Sequence, residues 1–158
     1  MKKIKNIGLL LFLILSTLSF SYQVNYDDVV DIVLRNYPQS RVTKIEIANY
    51  KGKTVYEGET FNKGQKIEFI IDVNTGEVYK MDPNYDDEYN PSYNLPVTFE
   101  QANRIALDNS FNGRVKSIEL KNTDKKAYYV VEVRENKAEK EINIDANSGK
   151  ILTIKESI

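Results

Sequence analysis

Two hydrophobic periods alternate along this chain, and the alternation occurs twice. From residue 26 the apolar positions Tyr26, Val29, Val30, Val33, Leu34 and Tyr37 keep the i, i+3, i+4, i+7 spacing that puts one stripe on a helix of about 12 residues. Asn25 stands at the N-cap position, Asp27 and Asp28 sit where the helix dipole favours anions, and Pro38 ends the helix. The spacing then becomes two. Segments 42–48, 54–61, 66–73 and 77–81 read as strands, most clearly where Ile67, Phe69, Ile71 and Val73 share a face. Turn chemistry separates them at Lys51-Gly52, Asn62-Lys63-Gly64 and Asn74-Thr75-Gly76.

The second round starts at a T-x-x-Q capping box, Thr98 and Gln101, with Phe99, Ala102, Ile105 and Ala106 inward and Asn112-Gly113 as the expected stop. Strands are expected at 115–121, 127–134, 141–146 and 150–154. Shifted by 73 residues, 26–82 lies over 99–155 without a gap and 16 of 57 positions are identical, where chance supplies about three or four. The sequence therefore predicts an α+β fold of two tandem copies, each one helix packed on a four-stranded antiparallel sheet. Residues 22–82 form repeat 1 and 98–158 repeat 2. Between them, 83–97 is a linker rich in Pro, Tyr and Asp, whose prolines keep it out of a sheet interior. A 57-residue unit is near the lower limit for independent folding, so the copies are expected to pack on each other through exposed apolar sheet surface.

Residues 1–21 change the cellular picture. Lys2, Lys3 and Lys5 precede an apolar run at 7–18, and Ser19 and Ser21 occupy the small-residue positions of a cleavage site, the pattern of a secretory signal peptide. A run of 12 residues is shorter than the roughly 20 needed to span a bilayer. The protein is thus expected to be exported, periplasmic or extracellular, with membrane attachment only if the signal stays uncleaved. Without those residues and their three lysines the formal charge moves from −1 to −4. A net acidic chain with scattered lysines lacks the basic face that nucleic acid requires. The absence of His and Cys removes imidazole and thiol catalysis and ordinary zinc, haem and iron-sulfur sites, so neither cofactor nor metal is expected. It also removes disulfides, leaving a hydrophobic core to hold an exported fold.

The order of motifs carries a resemblance. A helix is followed by R-V-x-x-I-E (Arg41, Val42, Ile45, Glu46; Arg114, Val115, Ile118, Glu119) and by Y-x-x-E (Tyr56, Glu59; Tyr129, Glu132). Then comes I-D-x-x-[ST]-G-[EK]-[VI], from Ile71 to Val78 and from Ile144 to Ile151. This order resembles the PepSY domain, a module of thermolysin-like protease propeptides and of many secreted or membrane-attached bacterial proteins. Gly58, which interrupts the second strand of copy one, and Gly113, in the place of Ser40, depart from the pattern. The resemblance implies a noncatalytic module that inhibits or chaperones proteases outside the cytoplasm. With no protease domain after either copy, the expectation is action in trans.

Other candidate chemistry meets plainer explanations. Asp72, Asn74 and Glu77 hint at a calcium loop, but an EF-hand needs Gly where Glu77 stands and Glu where Pro83 stands, so turn capping is expected. The acidic group Asp82, Asp86, Asp87 and Glu88 reads as solvated linker. Glu59 with Glu132, or Glu46 with Glu119, recur at equivalent positions, which suits surface strands better than an asymmetric acid/base pair. No S-x-x-K occurs after residue 21. Tyr85, Tyr89 and Tyr93 are candidate anchors for a partner, since aromatic rings with a polar tip suit interfaces. The expected function is a noncatalytic exported binding module, not an enzyme, that engages a protease or another envelope protein through a sheet edge or groove. The alternative is a structural envelope protein that holds a peptide or small ligand.

Overall fold

A computed structural model describes residues 23–88, 95–123 and 126–157, so the segment read as a signal peptide lies outside the described residues. Helix α1 (Tyr26–Asn36) is followed by strands β1 (Arg41–Tyr50), β2 (Lys53–Asn62), β3 (Gln65–Asp72) and β4 (Val78–Glu88). Helix α2 (Phe99–Asp108) is followed by β5 (Arg114–Thr123), β6 (Lys126–Glu135), β7 (Ala138–Asp145) and β8 (Ile151–Ser157). Each helix begins with a full capping box, Asn25 with Asp28 and Thr98 with Gln101. Helix α2 ends at Asp108, ahead of the expected stop. The duplicated Asn36 and Asn109 each donate a side-chain N–H to the carbonyl four residues back, Ile32 and Ile105, at 2.8 Å. That bond adds a side-chain donor to a carbonyl near the helix end and gives Asn the same local role in both copies.

The expectation of two four-stranded sheets is corrected. The strands form one eight-stranded antiparallel sheet in the order β4-β3-β2-β1-β5-β6-β7-β8. Each meander leaves the outer edge of its first strand unpaired, and the two edges pair with each other as Lys44↔Glu119, Ile45↔Ile118 and Glu46↔Ser117. Ile45 and Ile118 are the same position of the repeat, so a pseudo-two-fold axis passes between them. The copies join edge to edge by backbone hydrogen bonds, not through stacked sheet faces, and two exposed strand edges disappear.

Strand structure extends into the segment read as a linker. Strand β4 continues through Pro83 to Glu88, with Pro83 opposite Ile67. Proline is tolerated because β4 is an edge strand with no partner on its other side. Both helices cover one face, where a single core cluster runs from Val29, Val33, Phe69 and Ile71 through Ile45 and Ile118 to Val131 and Ile142. Each fully buried Val, Ile or Phe there contributes roughly 1.5–3 kcal/mol. The helices meet at the axis: Asp27 of α1 accepts from the Glu100 backbone N–H (3.1 Å) and the Thr98 hydroxyl (3.0 Å), so one copy helps cap the helix of the other.

Candidate functional site

The duplicated I-D-x-x-[ST]-G motif proves to be an anchored turn. Asp72 Oδ1 accepts from the backbone N–H groups of Asn74 (2.9 Å) and Thr75 (3.0 Å), while Oδ2 accepts from the Tyr79 hydroxyl (2.7 Å). The Tyr79 bond and then the backbone donors lower the Asp72 pKa to about 2. Asp145 repeats the turn with Asn147 and Ser148, whose hydroxyl takes the leading part in lowering its pKa. The motif glycines have φ of +71°, and a Cβ on either would lie 3.2 Å from Ile32 or Ile105 of the overlying helix. The motif thus docks the helix to its sheet. Among the described residues no group of three or more carboxylates could hold a metal.

The carboxylate pairs do not converge. Glu46 pairs with Lys44 at 2.7 Å, Glu59 with Lys66 at 3.6 Å and Glu119 with Lys121, while Glu132 is exposed on β6. These are ion pairs on strands, each worth little in water. Of the three tyrosines proposed as anchors, Tyr85 lies on β4, and Tyr89 and Tyr93 lie outside the described residues. The side chain of Tyr85 is likewise outside what the structure describes.

The concavity that stands out was not foreseen. Ahead of each helix, a lead-in residue closes a small ladder: Val24 N–H donates to the Val73 carbonyl and Val97 N–H to that of Ala146. Tyr56 and Tyr129 then donate their hydroxyls to the carbonyls of Val24 (2.9 Å) and Val97 (2.7 Å). Burial raises both phenols to about 12, so they stay neutral donors. Tyr26 stacks obliquely on Tyr56 and Phe99 packs edge-on against Tyr129. This fixed scaffold leaves an open groove of about 500 Å³ between the flank of α1 and repeat 2. Val30, Leu34, Val42, Leu95, Val97 and Leu120 give it an apolar lining. Asp27, Asp31 and Arg41 supply charge at its walls. A mostly apolar cleft of this volume with a few polar groups is the usual form of a binding site.

Comparison with known proteins fits this architecture. The family described as peptidase propeptide and YPEB domain matches twice, at residues 23–82 and 96–155. The chain belongs to the PepSY family. Each PepSY copy begins three residues before its helix, which includes the lead-in valine in the unit. A crystal structure of a putative lipoprotein from Clostridium difficile 630 has the same fold, with TM-score 0.62, 22% identity, and 86% of this chain and 95% of that one covered. The YpeB C-terminal domain of Bacillus megaterium aligns at TM-score 0.35 and 13% identity, over 85% of this chain and 66% of that one. No curated protein matches the chain.

No catalytic family is indicated by these matches, and no described helix is long and apolar enough to cross a membrane. The groove sits between the PepSY copies, so neither copy alone carries it. A sequence signal for it existed in Leu120 and its repeat partner Ile47. Both are apolar positions on the helix face, yet Leu120 is 8% exposed and Ile47 45%. Strand periodicity does not encode that difference.

Proposed function

We propose that this protein is a noncatalytic exported binding module whose inter-repeat groove takes a segment of a partner protein, with a secreted or envelope protease the first candidate. The observation that carries this reading is the apolar groove beside α1, built from both copies on a rigid sheet and free of any catalytic constellation among the described residues. The family's description as a peptidase propeptide domain supports a peptidase connection. The basic-apolar-small pattern of residues 1–21 supports export.

The test is affinity capture from the native exported and envelope fractions, with Leu34→Arg as the comparison. Leu34 lies on the exposed flank of α1, so the charge blocks the groove while the fold tolerates it. Saturable capture of a protein by the native chain and its loss in the variant is the expected result. Absence of a saturable partner, or equal capture by both chains, counts against the reading. Assay of any captured protease with and without the chain then decides whether binding inhibits it. A second reading, retention of a free peptide or small molecule, follows from the groove volume. Native mass spectrometry of the purified chain tests it, and a mass equal to the polypeptide alone argues against it.

A further inference from the structure

We infer that the groove beside α1 reads a large apolar side chain with a lysine or arginine next to it in the partner segment, and that Asp31 selects the cation. This rests on the binding reading above and specifies the partner's chemistry. The first argument is that Asp31 is free to act. The neighbouring acids are engaged: Asp27 accepts from Thr98 and Glu100 of α2, and Asp28 closes the capping box with Asn25. Among the described residues Asp31 makes no hydrogen bond and no salt bridge, Arg35 one turn further on included. An exposed carboxylate at the mouth of an apolar cleft favours a ligand with a cation beside its apolar group.

The second argument is an internal comparison that the duplication provides. At the 73-residue offset, Val30 and Asp31 correspond to Asn103 and Arg104. In repeat 2 that wall is polar and closed on itself, since Arg104 pairs with Glu100 at 3.4 Å and Asn103 donates to the same carboxylate at 3.3 Å. The floor residues remain apolar in both copies, Leu34 matching Leu107 and Val42 matching Val115. The two copies thus differ at the wall that would meet a ligand, and among the described residues the α1 side combines an apolar lining with an unpaired carboxylate where the α2 side has a closed Arg104–Glu100 pair. An anion beside the apolar group would place like charges together at Asp31, and Arg41, the cation of the same lining, is already engaged within the protein.

The test uses the ¹⁵N-labelled chain from residue 22 onward and three capped hexapeptides, Gly-Ser-Leu-X-Ser-Gly, with X as Lys, Gln or Glu. Backbone amide shifts of Val30, Leu34 and Leu120 report groove occupancy and give a Kd for each peptide. Expected is a Kd for the Lys peptide about two- to five-fold lower than for Gln, the range of one exposed ion pair, with Glu weakest. Asp31→Asn should remove the difference between Lys and Gln, Asp31→Lys should reverse the order, and 0.5 M salt should shrink it. Asp31 is exposed, so both variants keep the native amide spectrum. Groove shifts with equal Kd for all three peptides overturn the assignment of Asp31 and leave the binding reading standing. Shifts confined to residues outside the groove, or none with any peptide, overturn the whole inference, and the capture experiment then judges the binding reading independently.

Discussion

Gly58 in the middle of β2 offers a quantitative test of how each copy is packed. It pairs with Ile45 on one side and Phe69 on the other, and a Cβ there would lie 2.2 Å from the Lys44 carbonyl oxygen and 2.3 Å from the Phe69 ring. The ring fills the space that a side chain at 58 would take. In repeat 2 the same two positions hold Val131 and Ile142, both fully buried, so the space is divided differently between the strands. Gly58→Val alone overpacks a site bounded partly by backbone and should cost about 3 kcal/mol. Phe69→Ile alone leaves a void of roughly 50 Å³, which at about 24 cal/mol per Å³ adds about 1.2 kcal/mol to the lost transfer energy, for a total of about 2. Independent effects would give the double variant a loss of about 5 kcal/mol. Compensation predicts a loss of about 2–3, hence a coupling of about 2–3 kcal/mol. The residual loss reflects the Lys44 carbonyl, which neither substitution moves. Urea unfolding followed by far-UV circular dichroism suits a chain without Trp, and shared m-values validate the comparison. Additivity within about 0.5 kcal/mol would refute the claim that Phe69 occupies the space of residue 58.

The duplication supplies further predictions. The Tyr26 and Thr60 hydroxyls are buried without a partner among the described residues, and repeat 2 has Phe99 and Val133 there; Tyr26→Phe and Thr60→Val should each leave stability unchanged or raise it by about 1 kcal/mol in urea unfolding, and a loss above about 1 would contradict this. Gly76→Ala meets both a positive φ and the Ile32 methyl at 3.2 Å, so a loss of about 1–2 kcal/mol is expected, and no change would show that the helix does not depend on this turn. Phe99→Ala removes a buried ring from the second helix and should cost about 3 kcal/mol or more, with an unchanged Tm as the contrary result. Asp72 has a folded pKa of about 2, below its value in the unfolded chain, so its stabilisation is present above about pH 4 and fades as the pH falls toward 2. Asp72→Asn should therefore be less stable than the native chain at pH 7, with the gap narrowing across that acidic window in thermal melts. A constant gap from pH 7 to 2 would exclude the charged form as the stabilising species.

Within each copy, local chemistry made the fold legible. The capping residues Asn25 and Thr98, the alternation at Ile67, Phe69 and Ile71, and the Asp-to-Gly turns all act within a few residues, and the structure places each as expected. What was not legible depends on partners far apart in sequence. The β1–β5 seam is made by backbone groups, and a strand bound for an open edge has the same side-chain pattern as one bound for a paired edge. Pro83 was a sound reason to deny a central strand, but it does not distinguish a linker from an edge strand. Asp27 read as a charge for its own helix dipole, whereas its carboxylate serves the other helix across the axis. The groove follows from that same join: Leu34 and Leu120 line it from different copies, 86 positions apart in sequence, and no local pattern brings them together.

If partners dock in the groove between the two PepSY copies, as proposed, site-directed photocrosslinking will trap them there. A benzoylphenylalanine replaces Leu34 in the groove or, as the comparison, Leu152, which is exposed on β8 and lies outside it. Each chain is irradiated in the native exported protein fraction. The account predicts a discrete adduct from position 34 that excess unlabelled chain abolishes, and none from position 152. No adduct at 34, or equal adducts at both positions, would contradict it.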